Sequence, residues 1–195
     1  LLVVATHAFA QRGFEAVSTG DVAKAAGLTQ SMIHYHFGSK YLLWKAAIDK
    51  LMLDLEARFP ASRGELQDLD PVSKLKVLTR RFILMSAADP DFSRIVIHES
   101  LSRSERLTWL VDRYLKRGLK GFDQILQAGI DEGAIKKLPL FAMTNTLVSA
   151  SAFTFCLAAM VDQVYRIDLT KAHAISEMAD TIIDMLFNGI LVRDK

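Results

Sequence analysis

A chain of 195 residues, 51 % of them apolar, can hold two small domains or one extended one with a sizeable core. A formal net charge of +2 is no nucleic-acid signature by itself, so any nucleic-acid surface has to show in how the charges are distributed. The single cysteine, Cys156, excludes an intramolecular disulfide and fits a reducing compartment, while four prolines and no alternating β-branched runs point to an all-α chain.

The opening LLVVATHAFA is apolar but has no basic lead, so it reads as a helix already under way and not as a signal peptide. The next segment, Ser18 to Lys40, reads STGDVAKAAGLTQSMIHYHFGSK and predicts two short helices joined by a tight turn. Ser18 is placed to cap the first, with Asp21 reaching back in an acidic form of the capping box. Val22, Ala23 and Ala26 give that helix an apolar face, and Gly27 stands where a helix stops in a left-handed turn. Leu28 is expected to plug the turn, and Thr29 to cap a helix from Gln30 to about Phe37. In this second helix Met32, Ile33 and Phe37 are assigned to the inside, and Gln30, Ser31, His34 and Tyr35 to the outside. An exposed tyrosine between two histidines is poor surface chemistry unless a partner covers it, which favours a groove-binding helix over an ordinary bundle hairpin. No Asp or Glu occurs from Val22 to Ile48, whereas Lys24, Lys40 and Lys45 do, and phosphate contacts need such an acid-free patch.

From Ala5 to Ile48 the chain resembles the DNA-binding domain of the TetR family of transcriptional regulators, on the stretches AFAQRGFEAVS and DVAKAAGLTQSMIHYHFGSKYLL. The resemblance implies a three-helix head with a helix-turn-helix, followed by a helical ligand-binding and dimerisation body, and we divide the chain accordingly at residues 1–46 and 47–195. Carried over by position, Thr19, Tyr35, His36 and Lys40 fall where the family contacts phosphates, and Gln30, Ser31 and His34 where it reads or approaches base edges; Thr29 completes the set. The side-chain chemistry agrees, since glutamine pairs bidentately with adenine N6 and N7 and imidazole bonds guanine N7 or O6. Two positions depart from the family pattern. His34 stands where the family often has tyrosine, and Gly20 stands where it often places a long side chain that reaches a base.

Further along, Ser39 is expected to cap a helix to about Phe59, the one continuous rigid link from head to body. A linker, PASRGELQDLD from Pro60 to Asp70, ends in a cap followed by proline, which opens a helix to Ala88. Asp89-Pro90 repeats the device for a helix to about Ser102, and Ser104 caps a long one ending near Gly133. Pro139 opens a helix to about Arg166, and Thr170 caps the last, to about Val192. The run from Leu138 to Val161 carries no charge and is long enough to cross a bilayer, but Thr144, Asn145, Thr146, Ser149, Ser151 and Thr154 within it favour a helix buried in its own body and against a second subunit. Ile175, Met178, Ile182, Met185, Leu186 and Ile190 form an apolar stripe on the last helix. Two such helices from each of two chains make a four-helix bundle, so the expected homodimer interface is Ala150, Phe153, Leu157, Met178, Ile182, Met185 and Leu186.

Bulky adaptable side chains in the body, Phe82, Met85, His98, Trp109, Phe122, Met143 and Phe153, are candidates to line a cavity for a small, largely apolar effector. No G-x-S-x-G elbow, phosphate-cradling glycine loop or H-E-x-x-H occurs, and His34 and His36 point to different sides of their helix, so neither an enzyme, nor a metal site, nor a cofactor is expected. The resulting expectation is a cytoplasmic, non-membrane, dimeric repressor that binds a palindromic double-stranded operator and is released by its effector. The alternatives are an activator or a regulator controlled by a protein partner and, more distantly, a helical ligand-binding protein without DNA activity.

Overall fold

The computed structural model describes residues 1–59, 64 and 66–191. The expected linker therefore lies partly outside the described residues, as does Val192, the expected end of the last helix. In chain order the helices are α1 (Leu2–Ala16), α2 (Thr19–Ala25), α3 (Gln30–Phe37), α4 (Lys40–Arg58), α5 (Pro71–Ala88), α6 (Asp91–Ser102), α7 (Glu105–Leu110), α8 (Lys116–Asp131), α9 (Leu140–Ala152), α10 (Ala158–Tyr165) and α11 (Ala172–Ile190). A π-helical turn, Val111–Leu115, joins α7 to α8, and a 3₁₀ turn, Phe153–Leu157, joins α9 to α10, so two helices expected to be continuous are each interrupted once. Among the described residues there is one isolated antiparallel bridge, Ile135 to Leu191, and no strand.

The helices form two compact units: α1 to α4 with α6 make the first, and α5 with everything from α8 onward the second. The assignment of α6 and of the C-terminal part of α4 to the first unit differs from a division at residue 46.

The first unit is built on side chains that the local signals orient inward. Phe9, Val17, Val22, Ile33, Leu43, Trp44 and Ile48 are each at most 1 % exposed. Phe14 meets the edge of Trp44 at a centroid distance of 6.2 Å, and Tyr41 stacks on Trp44 at 6.1 Å. Met32, expected to face inward, is 44 % exposed and Leu42 is 51 % exposed, because the turns on which they sit direct Ile33, Leu43 and Trp44 to the core instead. Near its end α1 is broken at Gly13, whose φ of 73° is a backbone state that side chains resist. An added Cβ there would also stand 3.2 Å from Nδ1 of His98 on α6.

Polar pairs join α6 to α1. His7 Nδ1 lies 3.0 Å from Asp91 Oδ2, and Arg94 donates to the other carboxylate oxygen at 2.9 Å. Glu99, 2 % exposed, accepts from Ser104 Oγ at 2.5 Å and from Arg106 Nε at 2.9 Å. The Arg106 guanidinium also reaches Glu15 at 3.1 Å and sits 3.9 Å over the Phe14 ring. A carboxylate so buried is tolerable only with such a set of donors.

The second unit has two apolar clusters. Leu75, Leu126, Ile135, Met143, Leu147 and Phe187 form one, and Ile83, Phe155, Leu169, Ala174, Ala179 and Ile182 the other. An ion pair of Arg80 with Asp180 ties α5 to α11, and Thr144 donates to Asp123 at 2.5 Å between α9 and α8. The expected cap at Thr170 does not form. Its amide and its hydroxyl both donate to Asp168, at 2.9 and 2.6 Å, and α11 starts after Lys171 without a side-chain cap. Both donors go to one oxygen of Asp168, Oδ1, whose negative charge makes it a strong acceptor.

Candidate nucleic-acid interface

The surface expected to meet DNA is built by three capped helix starts. Ser18 Oγ accepts the Asp21 amide at 3.0 Å and the Asp21 carboxylate accepts the Ser18 amide at 3.3 Å, which completes the capping box. Hydrogen bonding to the Asp21 carboxyl, from the Ser18 side chain first and its backbone amide second, holds that carboxyl below its ordinary value. Gly27 has a φ of 67°, as the stop between the helices requires. Thr29 Oγ1 accepts the Met32 amide at 3.4 Å, and Ser39 Oγ accepts the Leu42 amide at 3.2 Å. Fixed ends at α2, α3 and α4 leave α3 one buried residue, Ile33, and one open face.

Along α3, Gln30, Ser31, His34, Tyr35 and His36 are all exposed, Tyr35 by 86 %. Thr19, Gln30, Ser31, His34 and Ser39 line a shallow recess between the start of α2 and α3. Thr29 and Ser31 share a hydroxyl hydrogen bond at 2.9 Å, and Gln30 Nε2 donates to Thr19 Oγ1 at 3.1 Å. Lys40 is turned back on α1. Its ammonium bonds the Glu15 carbonyl at 3.4 Å and lies 4.3 Å over the Phe14 ring, so it borders the face without projecting from it. Of the eight positions named from sequence, Thr19, Gln30, Ser31 and His34 meet at the recess, Thr29 adjoins it, Tyr35 and His36 are exposed elsewhere around α3, and Lys40 is held against α1.

The candidates for an effector site are more scattered. Within the second unit an apolar cavity of about 280 Å³ is lined by Leu126, Leu138, Pro139, Ala142, Met143, Thr146, Leu147, Leu186 and Ile190. Of the seven residues named from sequence, Met143 alone lines it. Phe82 packs edge-on to Phe122 at 6.0 Å, and Trp109 to Tyr114 at 5.8 Å. Met85 and Phe153 are half-buried elsewhere in the same unit. His98 is in the first unit, against Gly13, because a small residue at a helix break leaves room for an imidazole. Leu138, Pro139 and Ala142 lie where an unbroken apolar run gives sequence reasoning no contrast to work with.

Expected interface residues also divide. Leu157 and Met185 are 52 % and 72 % exposed, while Ala150, Phe153, Met178 and Leu186 are half-buried. Ile182 is 8 % exposed and packs in its own chain's core. Exposed apolar side chains that the stripe did not include stand nearby in sequence: Phe141 at 78 %, Met160 at 51 %, Val164 at 62 % and Tyr165 at 66 %. The span Leu140–Tyr165 is long and apolar enough to cross a membrane, and 22 % of its most apolar window is buried in the chain itself.

Comparison with known proteins matches residues 1–47 to the family described as bacterial regulatory proteins, tetR family, and residues 71–186 to the tetracyclin repressor-like C-terminal domain. The HTH-type transcriptional regulator AcrR of Shigella flexneri is 35 % identical over 83 residues, 39 % of this chain and 35 % of that protein. The HTH-type transcriptional repressor KstR2 of Mycobacterium tuberculosis is 27 % identical over 139 residues, 68 % of this chain and 66 % of that one. The chain thus spans between about a third and two thirds of the length of these curated relatives. In fold it is similar to the ketosteroid transcriptional regulator KstR2 of Mycobacterium tuberculosis (TM-score 0.73, 20 % identity, 98 % of this chain and 93 % of that one). It is equally similar to AibR in complex with isovaleryl coenzyme A and operator DNA (TM-score 0.73, 19 % identity, 95 % of each).

Proposed function

Because the chain belongs to the TetR family of bacterial regulatory proteins, we propose that it is a sequence-specific DNA-binding transcriptional regulator, a homodimeric repressor released from a palindromic operator by a small, largely apolar effector. The observation that carries the reading is the open face of α3: five consecutive or neighbouring polar and aromatic side chains with no core to pack on, held rigid by capped helix ends. Such a helix fits the major groove, where Gln30, Ser31 and His34 approach base edges and Thr19, Thr29, Tyr35, His36 and Lys40 face the backbone.

Support for the homodimer comes from the exposed apolar side chains of α9 to α11, which water leaves unsatisfied and a second copy would cover. With Ile182 in the core, Leu157 and Met185 remain as its exposed members, flanked by Ala150, Phe153, Met178 and Leu186. The same covering, in place of lipid, accounts for the apolar run Leu140–Tyr165, and we place the protein in the cytoplasm with no membrane partner and no catalytic role. Support for an apolar effector comes from the cavity around Met143 and Leu147, with Thr146 as a polar lining residue. Two relatives in fold fit such an effector, one described as a ketosteroid regulator and the other bound to isovaleryl coenzyme A. By linkage, an effector that lowers operator affinity has its own affinity lowered by operator by the same factor.

The test is selection of duplexes from a random pool. Recovery of an inverted repeat bound by two chains supports the proposal; recovery of no preferred sequence contradicts it.

A further inference from the structure

We propose that Thr19 is a positioning residue for base readout by Gln30, in an arrangement that the absence of a side chain at Gly20 permits. The proposal rests on the DNA-binding reading above and adds to it a second role for Thr19, beyond a phosphate contact.

Gln30 is the first residue of α3 and is exposed, so nothing in the core restrains its long side chain. An unrestrained glutamine loses rotamer freedom when it docks on a base. Here the amide is already held. Its Nε2 donates to Thr19 Oγ1 at 3.1 Å, across the gap between the first turn of α2 and the first turn of α3. Gly20 is what leaves that gap open. A Cβ at Gly20 would already touch the amide, at 3.4 Å from Gln30 Oε1 and 3.8 Å from its Cδ, so a longer side chain directed the same way would compete for its place.

The hydrogen bond uses one of two N–H groups. The other N–H and Oε1 remain free, and these are the donor and acceptor that adenine N7 and N6 require. The Thr19 hydroxyl accepts from Gln30 and keeps its own proton to donate to a phosphate oxygen. One side chain therefore links backbone contact to base contact. The neighbouring Ser31 hydroxyl is shared with Thr29 at 2.9 Å, which leaves Thr19 as the observed partner of the Gln30 amide.

The two roles separate experimentally. A phosphate contact contributes equally on every sequence, whereas a positioning contact changes the preference at the base pair that Gln30 reads. The experiment uses the full chain and the duplex that the wild-type protein selects, with all four base pairs placed in turn at the position where Gln30→Ala loses its preference. Thr19→Val removes the hydroxyl at nearly constant shape, and Thr19→Ser keeps it. The expected result is that Thr19→Val narrows the preference at that position about three- to tenfold, in keeping with loss of one ordering hydrogen bond. Thr19→Ser restores the preference, and in a Gln30→Ala background Thr19→Val weakens all four duplexes by one common factor. If Thr19→Val in the otherwise wild-type chain weakens all four duplexes equally, with helix content unchanged, Thr19 is a phosphate contact alone and the proposal falls. Failure of the wild-type chain to select any duplex overturns the DNA-binding reading and the proposal together, a result distinct from uniform weakening.

Discussion

The exposed face of α3 and the exposed faces of α9 to α11 are both open to water, but with opposite chemistry. On α3 the open side chains are Gln30, Ser31, His34, Tyr35 and His36, each with a polar group whose hydrogen bonds to water DNA can replace with directed ones. On α9 to α11 they include Phe141, Leu157, Met160, Val164 and Met185, which gain about 1.5–3 kcal/mol each when fully buried. The first face is complete in one chain and waits for a ligand that supplies specificity. The second is apolar and open in one chain, and that exposed area is the argument for the proposed partner.

Five substitutions, the last of them read against pH, would break or sharpen that contrast. The largest effect is expected at Trp44, which is wholly buried between Phe14 and Tyr41; Trp44→Ala should destabilise the first unit by about 3–5 kcal/mol and abolish DNA binding with it. Denaturant unfolding followed by helix signal measures this, and an unchanged midpoint would mean that the head does not depend on that aromatic stack. Next is Met185→Glu, at an exposed position. The variant should fold normally yet sediment as a monomer, and its affinity for a two-site operator should fall about 100-fold as bivalent binding is lost. A folded variant that remains dimeric would place the partner surface elsewhere.

Smaller effects distinguish residues within the DNA face. Gln30→Ala should cost about 1–3 kcal/mol on the selected duplex and relax its base preference. Tyr35→Ala should instead weaken selected and scrambled duplexes by similar factors, since backbone contacts position without specifying. Equal losses on both duplexes for Gln30→Ala would remove Gln30 from base reading. The smallest effect is on pH. Hydrogen bonds from Ser18 lower the Asp21 carboxyl, and those from Ser73 lower that of Asp70, which caps α5. Carboxyls lowered in the folded chain stabilise it above their unfolded value of about 3.9, and that contribution disappears as pH falls through the folded values. Both units should therefore weaken below about pH 4, and Asp21→Asn should flatten the response of the first unit only. Denaturant midpoints at pH 6 and pH 3 check this; an equal drop in Asp21→Asn and wild type would deny the cap its role.

What the sequence made legible follows the range of the forces involved. The caps at Ser18, Thr29 and Ser39, the stop at Gly27 and the outward set on α3 depend on residues within four positions of one another, and all are present. Joining α6 and the start of α7 to α1 depends on pairs such as His7 with Asp91 and Arg106 with Glu15, which lie 84 and 91 positions apart and leave no local trace. The stripe on α11 identified an apolar face, but periodicity does not say whether that face meets its own chain or a copy. Ile182 turned out to meet its own chain, and Met185, three residues on, is open. At Thr170 two competent groups competed, and the carboxylate of Asp168 took the donors. The cavity was illegible for a related reason: Leu138, Pro139 and Ala142 resemble their apolar neighbours, and only the packing of α8, α9 and α11 leaves a space beside them.

The central claim is that this chain reads a particular DNA sequence through the open face of α3. It is tested most directly by titrating the selected duplex and a scrambled one at stepped salt concentrations. The account predicts binding to the selected duplex about 10³-fold or more tighter than to the scrambled one, with both affinities falling linearly in log–log form as salt rises. Equal affinity for the two duplexes, or affinity indifferent to salt, would contradict it.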